Sequence, residues 1–390
     1  MDTNNAARTV VLAGLGKVPT AGVVLSSLAA IFWPVSGEDV WGQIRARVEA
    51  LINQRIAETV YQQVSEDLTG LRNVINDYTT AMADSQANPN YLSDKYIAAL
   101  SHFEHDLPHF QSHGYEVLLL PLFTQFANLH LSLLRDGFNN GAKWGWTPMA
   151  VQDEKKKLKK AVADYADYAW QWAQTGYNQV QLPGDSTYRV ENWRAQNAYV
   201  RQMNLDVVDH RYYWGWYDPD VAASQPLSNP TRTIFSNPIG TADDSGIYIN
   251  PAFFAFSAPT APITGLNVWA WNYLDAVQVA YGSQWGPRQG DQPTADFGGS
   301  NQRPHGWSGN IDPVNNPIVR VSGHAGQLPD GTEFWFKDGS STGLCGRNGG
   351  GAYDYQYEGH VLSSLYIMGT SNYYRSANCL ILGFRLANSY

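Results

Sequence analysis

Between Tyr115 and Leu134 the chain reads YEVLLLPLFTQFANLHLSLL, and fourteen of these twenty residues are apolar, Pro121 included. The polar exceptions are Glu116, Thr124, Gln125, Asn128, His130 and Ser132. At about 100° per residue, Thr124, Asn128 and Ser132 stack at i, i+4 and i+8, with Gln125 beside them, so four of the six form one narrow stripe. A helix that is apolar on every other side must be enclosed by neighbouring helices, its amides and hydroxyls bonded internally. A second reading is compatible with the first. Twenty residues at 1.5 Å each span about 30 Å, the thickness of a bilayer's hydrocarbon core, so the same helix is long enough to enter a membrane with the stripe facing water.

The surrounding chain has the means to enclose such a helix. Of 390 residues 44% are apolar and 16% charged, enough for a large core in two or three domains. In the first half, Trp41, Ile44, Val48, Leu51, Ile52, Ile56 and Val60 keep a three-four spacing that continues through Leu68, Leu71, Ile75 and Tyr78. This predicts one very long helix, or two joined near Thr69-Gly70. Further helices are expected at about 20–33, 91–109, 148–176 and 186–210, with Thr147-Pro148 supplying an N-cap and first-turn proline. Pro121 lacks an N–H and is expected to bend the central helix.

After Tyr212 the texture changes to proline and turn residues, and then to short alternating runs separated by glycine-rich turns. The runs are 267–271, 277–281, 319–321, 334–336, 361–368 and 379–384. The expected plan is therefore a helical domain over 1–212, a linker over 213–230 and an all-β domain over 231–390. Aromatic loops in the β half suit sugars or protein partners as well as ordinary sheet packing.

A net charge of −9 and the lack of a basic stripe argue against nucleic acid. No G-x-S-x-G elbow, phosphate-binding glycine loop, H-E-x-x-H or C-x-x-C occurs, so an enzyme is not expected. A glycosidase built from two distant carboxylates leaves no local pattern and stays as a rival. Cys345 and Cys379 form either one bridge or two free buried thiols. His102, His105, His109 and His113 run along one helix and its exit. Without a third ligand type they define no metal site, and neither metal nor cofactor is expected. His102, His105 and His109 are instead candidates for sensing pH, because histidine titrates near neutrality beside the apolar helix. The lysines of DEKKKLKK, 153–160, read as a solvated helix face, with attraction to anionic lipid as the alternative. MDTNNAART lacks the basic lead and apolar core of a cleaved secretory signal. Release to the extracellular space is then expected through lysis or a dedicated export route.

Several segments resemble one family, the insecticidal δ-endotoxins (Cry proteins). WGQIRARVEALINQRI is similar to their third helix, LLPLFTQFANLHLSLLRDGFNNGAKWGW to their central fifth helix and following turn, and ADYADYAWQWAQTGYNQV to their sixth. TRTIFSNPIGT resembles the opening strand of their second domain. EGHVLSSLYIMGTSNYYRSANCLILGF resembles its closing strands, with His360, Leu362 and Ser363 in the matching pattern. The sequence stops where that second domain ends; together with GLGKVPTAGVVLSSLAAIFWP this plan is similar to the larger B component of Pir-type binary insecticidal toxins, which act with a small A partner. The resemblance implies a seven-helix bundle around a central helix, followed by a β-prism. It implies a pore-forming toxin: the β-prism docks on a receptor or glycan, the hairpin 91–137 enters the target membrane, and oligomers leak ions. Thr124, Gln125, Asn128 and Ser132 would line the pore, and Trp285, Arg288, Tyr373 and Tyr374 would contact the receptor or glycan. A carbohydrate-binding lectin with a helical assembly domain remains the other alternative.

Overall fold

The computed structural model describes residues 2–16, 21–84, 86–181, 190–240, 259, 261–290, 306–370 and 377–387. Helices come first: α1 (Thr3–Gly16), α2 (Val23–Phe32), α3 (Val40–Ile52), α4 (Glu58–Ala83), α5 (Pro89–Phe110), α6 (Glu116–Asn140), α7 (Pro148–Gln179), α8 (Val190–Met203), α9 (Asp209–Trp214) and α10 (Pro219–Ser224). Local chemistry sets the ends. Asn88 Oδ1 accepts from the Tyr91 amide at 2.8 Å ahead of Pro89, and Thr147 Oγ1 accepts from the Ala150 amide at 3.2 Å ahead of Pro148. α6 runs on through Pro121 to Asn140.

The long helix expected from Trp41 to Tyr78 is two helices, and the joint is not at Thr69-Gly70. α3 closes at Asn53, whose φ of 55° is the left-handed conformation that asparagine tolerates at a helix C-terminus. Gly70 continues inside α4. A Cβ built on it would meet only His102 Nδ1, at an ordinary contact distance of 3.9 Å, and Leu68 and Leu71 on either side are buried, so the helix runs through it.

α6 is the centre of the helical part, packed by α2, α3, α5, α7 and α9. Only Arg135, Phe138 and Asn139 of its residues escape full burial. Phe103 and Phe110 of α5 pack their rings against Phe126 at 5.2 and 4.5 Å, and Phe123 lies 5.3 Å from the Tyr165 ring of α7.

The second half forms three antiparallel sheets. The first joins β1 (Ile234–Phe235), β2 (Ile239–Gly240), β12 (His360–Thr370) and β13 (Ala377–Leu386), with β13 central. The second runs β5 (Gln284–Trp285), β4 (Leu274–Tyr281), β3 (Ile263–Ala270), β7 (Trp307–Asn310), with β6 (Gln289–Gly290) also on β4. The third runs β10 (Cys345–Gly346), β9 (Pro329–Phe336), β8 (Ile318–Ala325), β11 (Gly351–Gln356). Leu266, Val277, Val321, Phe334, Leu365, Leu380 and Phe384 are among the buried residues that these sheets contribute. Both cysteines are buried thiols outside any disulfide, and burial pushes the Cys345 thiol up to about 11.

By compactness the chain divides into one unit of residues 1–180 and 202–228 and a second of 181–201 and 229–390. Most of α8 thus counts with the sheets. Trp214 and Tyr217, at the start of the segment read as a linker, are core residues of the helical unit with 0% and 2% exposure. Their aromatic bulk outweighs the turn-rich residues that follow them.

Candidate functional site

The polar stripe of α6 is hydrogen-bonded within the helical unit. Thr124 Oγ1 donates to the Leu120 carbonyl at 2.9 Å, and Ser132 Oγ donates to the Asn128 carbonyl at 2.7 Å and lies 2.8 Å from the Tyr217 hydroxyl. Asn128 is the hub. Its Nδ2 donates to Gln125 Oε1 at 2.9 Å and to His210 Nδ1 at 3.0 Å, while its Oδ1 accepts from Trp214 Nε1 at 2.8 Å. Gln125 Nε2 in turn donates to Asn4 Oδ1 of α1 at 3.2 Å. The structure therefore brings all four stripe residues into one seam, closed by α1, by α9 and by the turn that carries Tyr217.

The chain beyond α8 is shaped for this task. Residues Asn204–Val208 form a π turn, a local widening of the helix, just before His210 and Trp214. Those two residues are four apart on α9 and so share the face that meets Asn128. Burial holds His210 neutral, depressing its pKa to about 3 with a smaller contribution from Arg8. Buried Asp206, in the π turn, accepts from Asn4 and Gln202 and faces Arg47 at 3.4 Å; burial raises it to about 6. Neutral hydrogen bonds inside and an acid at the margin make a seam in which Thr124, Gln125, Asn128 and Ser132 each have a partner.

The far side of α6 is fixed differently. His130 stacks on Phe103 at 4.9 Å and bonds through Nδ1 to the Tyr165 hydroxyl at 2.7 Å. Near the C-terminal end, Asp136 Oδ2 accepts from the Gly22 amide at 2.6 Å and the Tyr78 hydroxyl at 3.2 Å, and Arg135 donates to the Gly14 carbonyl at 2.7 Å. Among the described residues α6 with the turn after it, Glu116–Trp144, is the one helix long and apolar enough to cross a membrane, and its most apolar stretch is wholly buried.

The other sequence-derived residues lie elsewhere. His102, His105 and His109 sit on α5. His105 Nδ1 lies 2.9 Å from Asp106 Oδ1, and His109 Nδ1 lies 2.8 Å from Asp67 Oδ2 of α4. Asp67, Asp106 and His109 form the group able to hold a metal ion among the described residues. The lysines of α7 are paired with acids: Lys155 and Lys159 with Asp220, Lys157 with Glu104, Lys160 with Asp164. In the β half Trp285 is exposed over Gly265, and the Arg288 guanidinium stacks on Trp269 at 3.9 Å. Tyr373 and Tyr374 lie outside the described residues.

The sequence reading missed the seam's partners, Asn4, His210, Trp214 and Tyr217. None lies within one helical turn of the stripe in sequence, and only the aromatic richness of YYWGWY hinted that residues 212–217 had a core to fill.

Residues 10–218 match the family model for the delta endotoxin N-terminal domain. The pesticidal crystal protein Cry7Aa of Bacillus thuringiensis is 32% identical over 265 residues, which make up 64% of this chain and 23% of that protein. Cry8Ba of B. thuringiensis serovar kumamotoensis is 32% identical over 241 residues, 60% of this chain and 20% of its own. The chain thus matches about a quarter or less of the length of these relatives. Two solved structures share the fold. The insecticidal delta-endotoxin Cry8Ea1 of B. thuringiensis superposes with a TM-score of 0.78 at 20% identity, over 100% of this chain and 74% of its own. PirB superposes with a TM-score of 0.80 at 16% identity, over 100% of this chain and 96% of its own. A family match over more than half of the chain, centred on the helix with the buried polar seam, places this protein in the delta-endotoxin family.

Proposed function

We propose that the protein is a pore-forming insecticidal toxin rather than an enzyme. One observation carries the reading: a helix of bilayer length, apolar on most of its surface, is kept out of water by its neighbours while its polar atoms are held by residues of other helices. Such a helix has two stable settings. In the bundle Asn128, Gln125 and Ser132 bond to His210, Asn4 and Tyr217; in a bilayer the same atoms need water or each other, and a pore supplies both.

In this reading residues 1–212 act as the pore-forming domain, and the hairpin 91–137, made of α5 and α6, is the part that inserts. Residues 231–390, joined through 213–230, dock on a receptor or glycan of the target cell, with Trp285, Arg288, Tyr373 and Tyr374 in the contact. Several copies assemble in the membrane, and a small A-type partner takes part in targeting. The protein acts outside the cell that makes it.

The test is dye release from vesicles, with α5 tethered to α4 by a short bis-maleimide between cysteines placed at Lys95 and Asp77, whose side chains meet at 2.8 Å. Release by the untethered protein that a non-cleavable tether abolishes, and a reducible tether restores on reduction, supports hairpin insertion. Leakage that persists with the tether in place overturns it. Glycan binding without leakage, with or without prior protease treatment, would favour the lectin alternative.

A further inference from the structure

The α4–α5 interface contains a cluster that the seam does not use. α4 contributes Asp67, and α5 contributes Asp106 and His109 at i, i+3. One ligand atom from each lies within 4.8 Å of the other two. Both carboxylates are buried, Asp67 at 8% and Asp106 at 3% exposure. Asp106 Oδ1 meets His105 Nδ1, but its Oδ2 is buried and makes no hydrogen bond. A buried carboxylate oxygen without a donor, facing a second buried carboxylate, is expensive, and a cation between them removes both costs.

We infer that Asp67, Asp106 and His109 form a binding site for a divalent cation of the zinc class, joining α4 to α5. Two carboxylate oxygens and one imidazole nitrogen suit Zn²⁺; Ca²⁺ and Mg²⁺ prefer six or more oxygens. Tetrahedral bonds of about 2.0–2.2 Å set ligand atoms about 3.3–3.6 Å apart. The 2.8 Å between His109 Nδ1 and Asp67 Oδ2 and the 4.8 Å outer limit bracket that range, so side-chain rotation suffices. Gln63 Nε2 donates to Asp67 Oδ1 at 3.2 Å and orients that carboxylate. His105, exposed and 2.9 Å from Asp106 Oδ1, can serve as a fourth ligand or yield to water, and the part-exposed ring of His109 leaves a way in. The histidines alone specified no metal; the completing ligand stands on another helix, thirty-nine or more residues earlier.

The experiment uses metal-free full-length protein. Calorimetric titration with Zn²⁺ is expected to show one site per chain, Co²⁺ to give the visible absorption of a nitrogen–oxygen site, and Zn²⁺ to raise the unfolding temperature. Asp67→Asn and His109→Gln should each weaken Zn²⁺ binding at least tenfold. If Asp67→Asn does not fold, His109→Gln, at a part-exposed position, decides alone. Zn²⁺ affinity that both variants retain would place binding on surface histidines and overturn the site, as would absence of binding to the wild type. Equal stabilisation by Mg²⁺ or Ca²⁺ would overturn the zinc-class assignment.

Discussion

α5 and α6 are neighbours of similar length, yet they keep their polar groups in opposite ways. α5 buries Tyr96, Ala99, Leu100, Phe103, Asp106 and Phe110 on one face and leaves Tyr91, Ile97 and His105 exposed. Lys95 and His109 meet acids of α4, Asp77 and Asp67, each at 2.8 Å, and Glu104 meets Lys157 of α7. α6 has almost no exposed face, and its stripe is held by neutral hydrogen bonds to α1, α9 and Tyr217. Burying an ion costs far more than burying an amide that finds a partner, so a neutral stripe suits the middle of α6, and its buried acids, Glu116 and Asp136, stand toward the two ends. The difference teaches where each helix is held. α6 depends on the seam, and α5 depends on its contacts with α4.

Removing the hub should break this contrast most strongly. Asn128→Leu keeps roughly the side-chain volume but leaves Trp214 Nε1 and His210 without their partner, so a loss of about 3 kcal/mol is expected in denaturant unfolding followed by circular dichroism. A smaller loss, about 1–3 kcal/mol, is expected for Gly137→Ala, because the new Cβ would overlap the buried Tyr96 ring and press α6 away from α5. Unchanged stability in either variant would mean that α6 is not gripped where the contacts lie.

The seam's titration sharpens the comparison further. His210 is held neutral, with its folded pKa at about 3 below the usual 6.5, so the unfolded chain binds the extra proton between those values. Its contribution to stability is full above about pH 6.5 and is lost, at up to about 1.4 kcal/mol per pH unit, as the pH falls toward 3. Asp206 acts in the other sense: raised to about 6, it contributes stability at acid pH that is lost as pH rises from about 4 to 6. His210→Gln should therefore flatten the acid fall in unfolding temperature between pH 6.5 and 4, and Asp206→Asn should steepen it. The smallest effect belongs to the surface of α5. Lys95→Ala removes one exposed ion pair and should leave the unfolding midpoint unchanged within error.

Much of the architecture was legible because period and punctuation are local. The apolar run of α6, the Thr147-Pro148 start of α7 and the change of texture after Tyr212 each stand in consecutive residues. Helix breaks were less so. Thr69-Gly70 carries the stronger nominal signal, but Gly70 sits inside α4 between buried Leu68 and Leu71, and the chain turns instead at Asn53. Each run read as a strand overlaps one but is drawn short, 267–271 overshoots the end of β3, and β7 and β11 went unread. β3, read from Asn267, begins at Ile263, because Ile263 and Gly265 pair with β4 around an irregularity at Thr264, and no apolar alternation announces them.

The candidate site divides in the same way. The sequence by itself determined that a bilayer-length apolar helix carries a stripe of Thr124, Gln125, Asn128 and Ser132, since helical periodicity alone lines them up. The tertiary structure decided what each of those atoms touches. His210, Trp214, Tyr217 and Asn4 reach the stripe from positions more than eighty residues away, and Asp67 reaches Asp106 and His109 from another helix. Hydrogen bonds and ligand sets act over about 3 Å in space and carry no trace in sequence separation, so they exist only once the helices have packed.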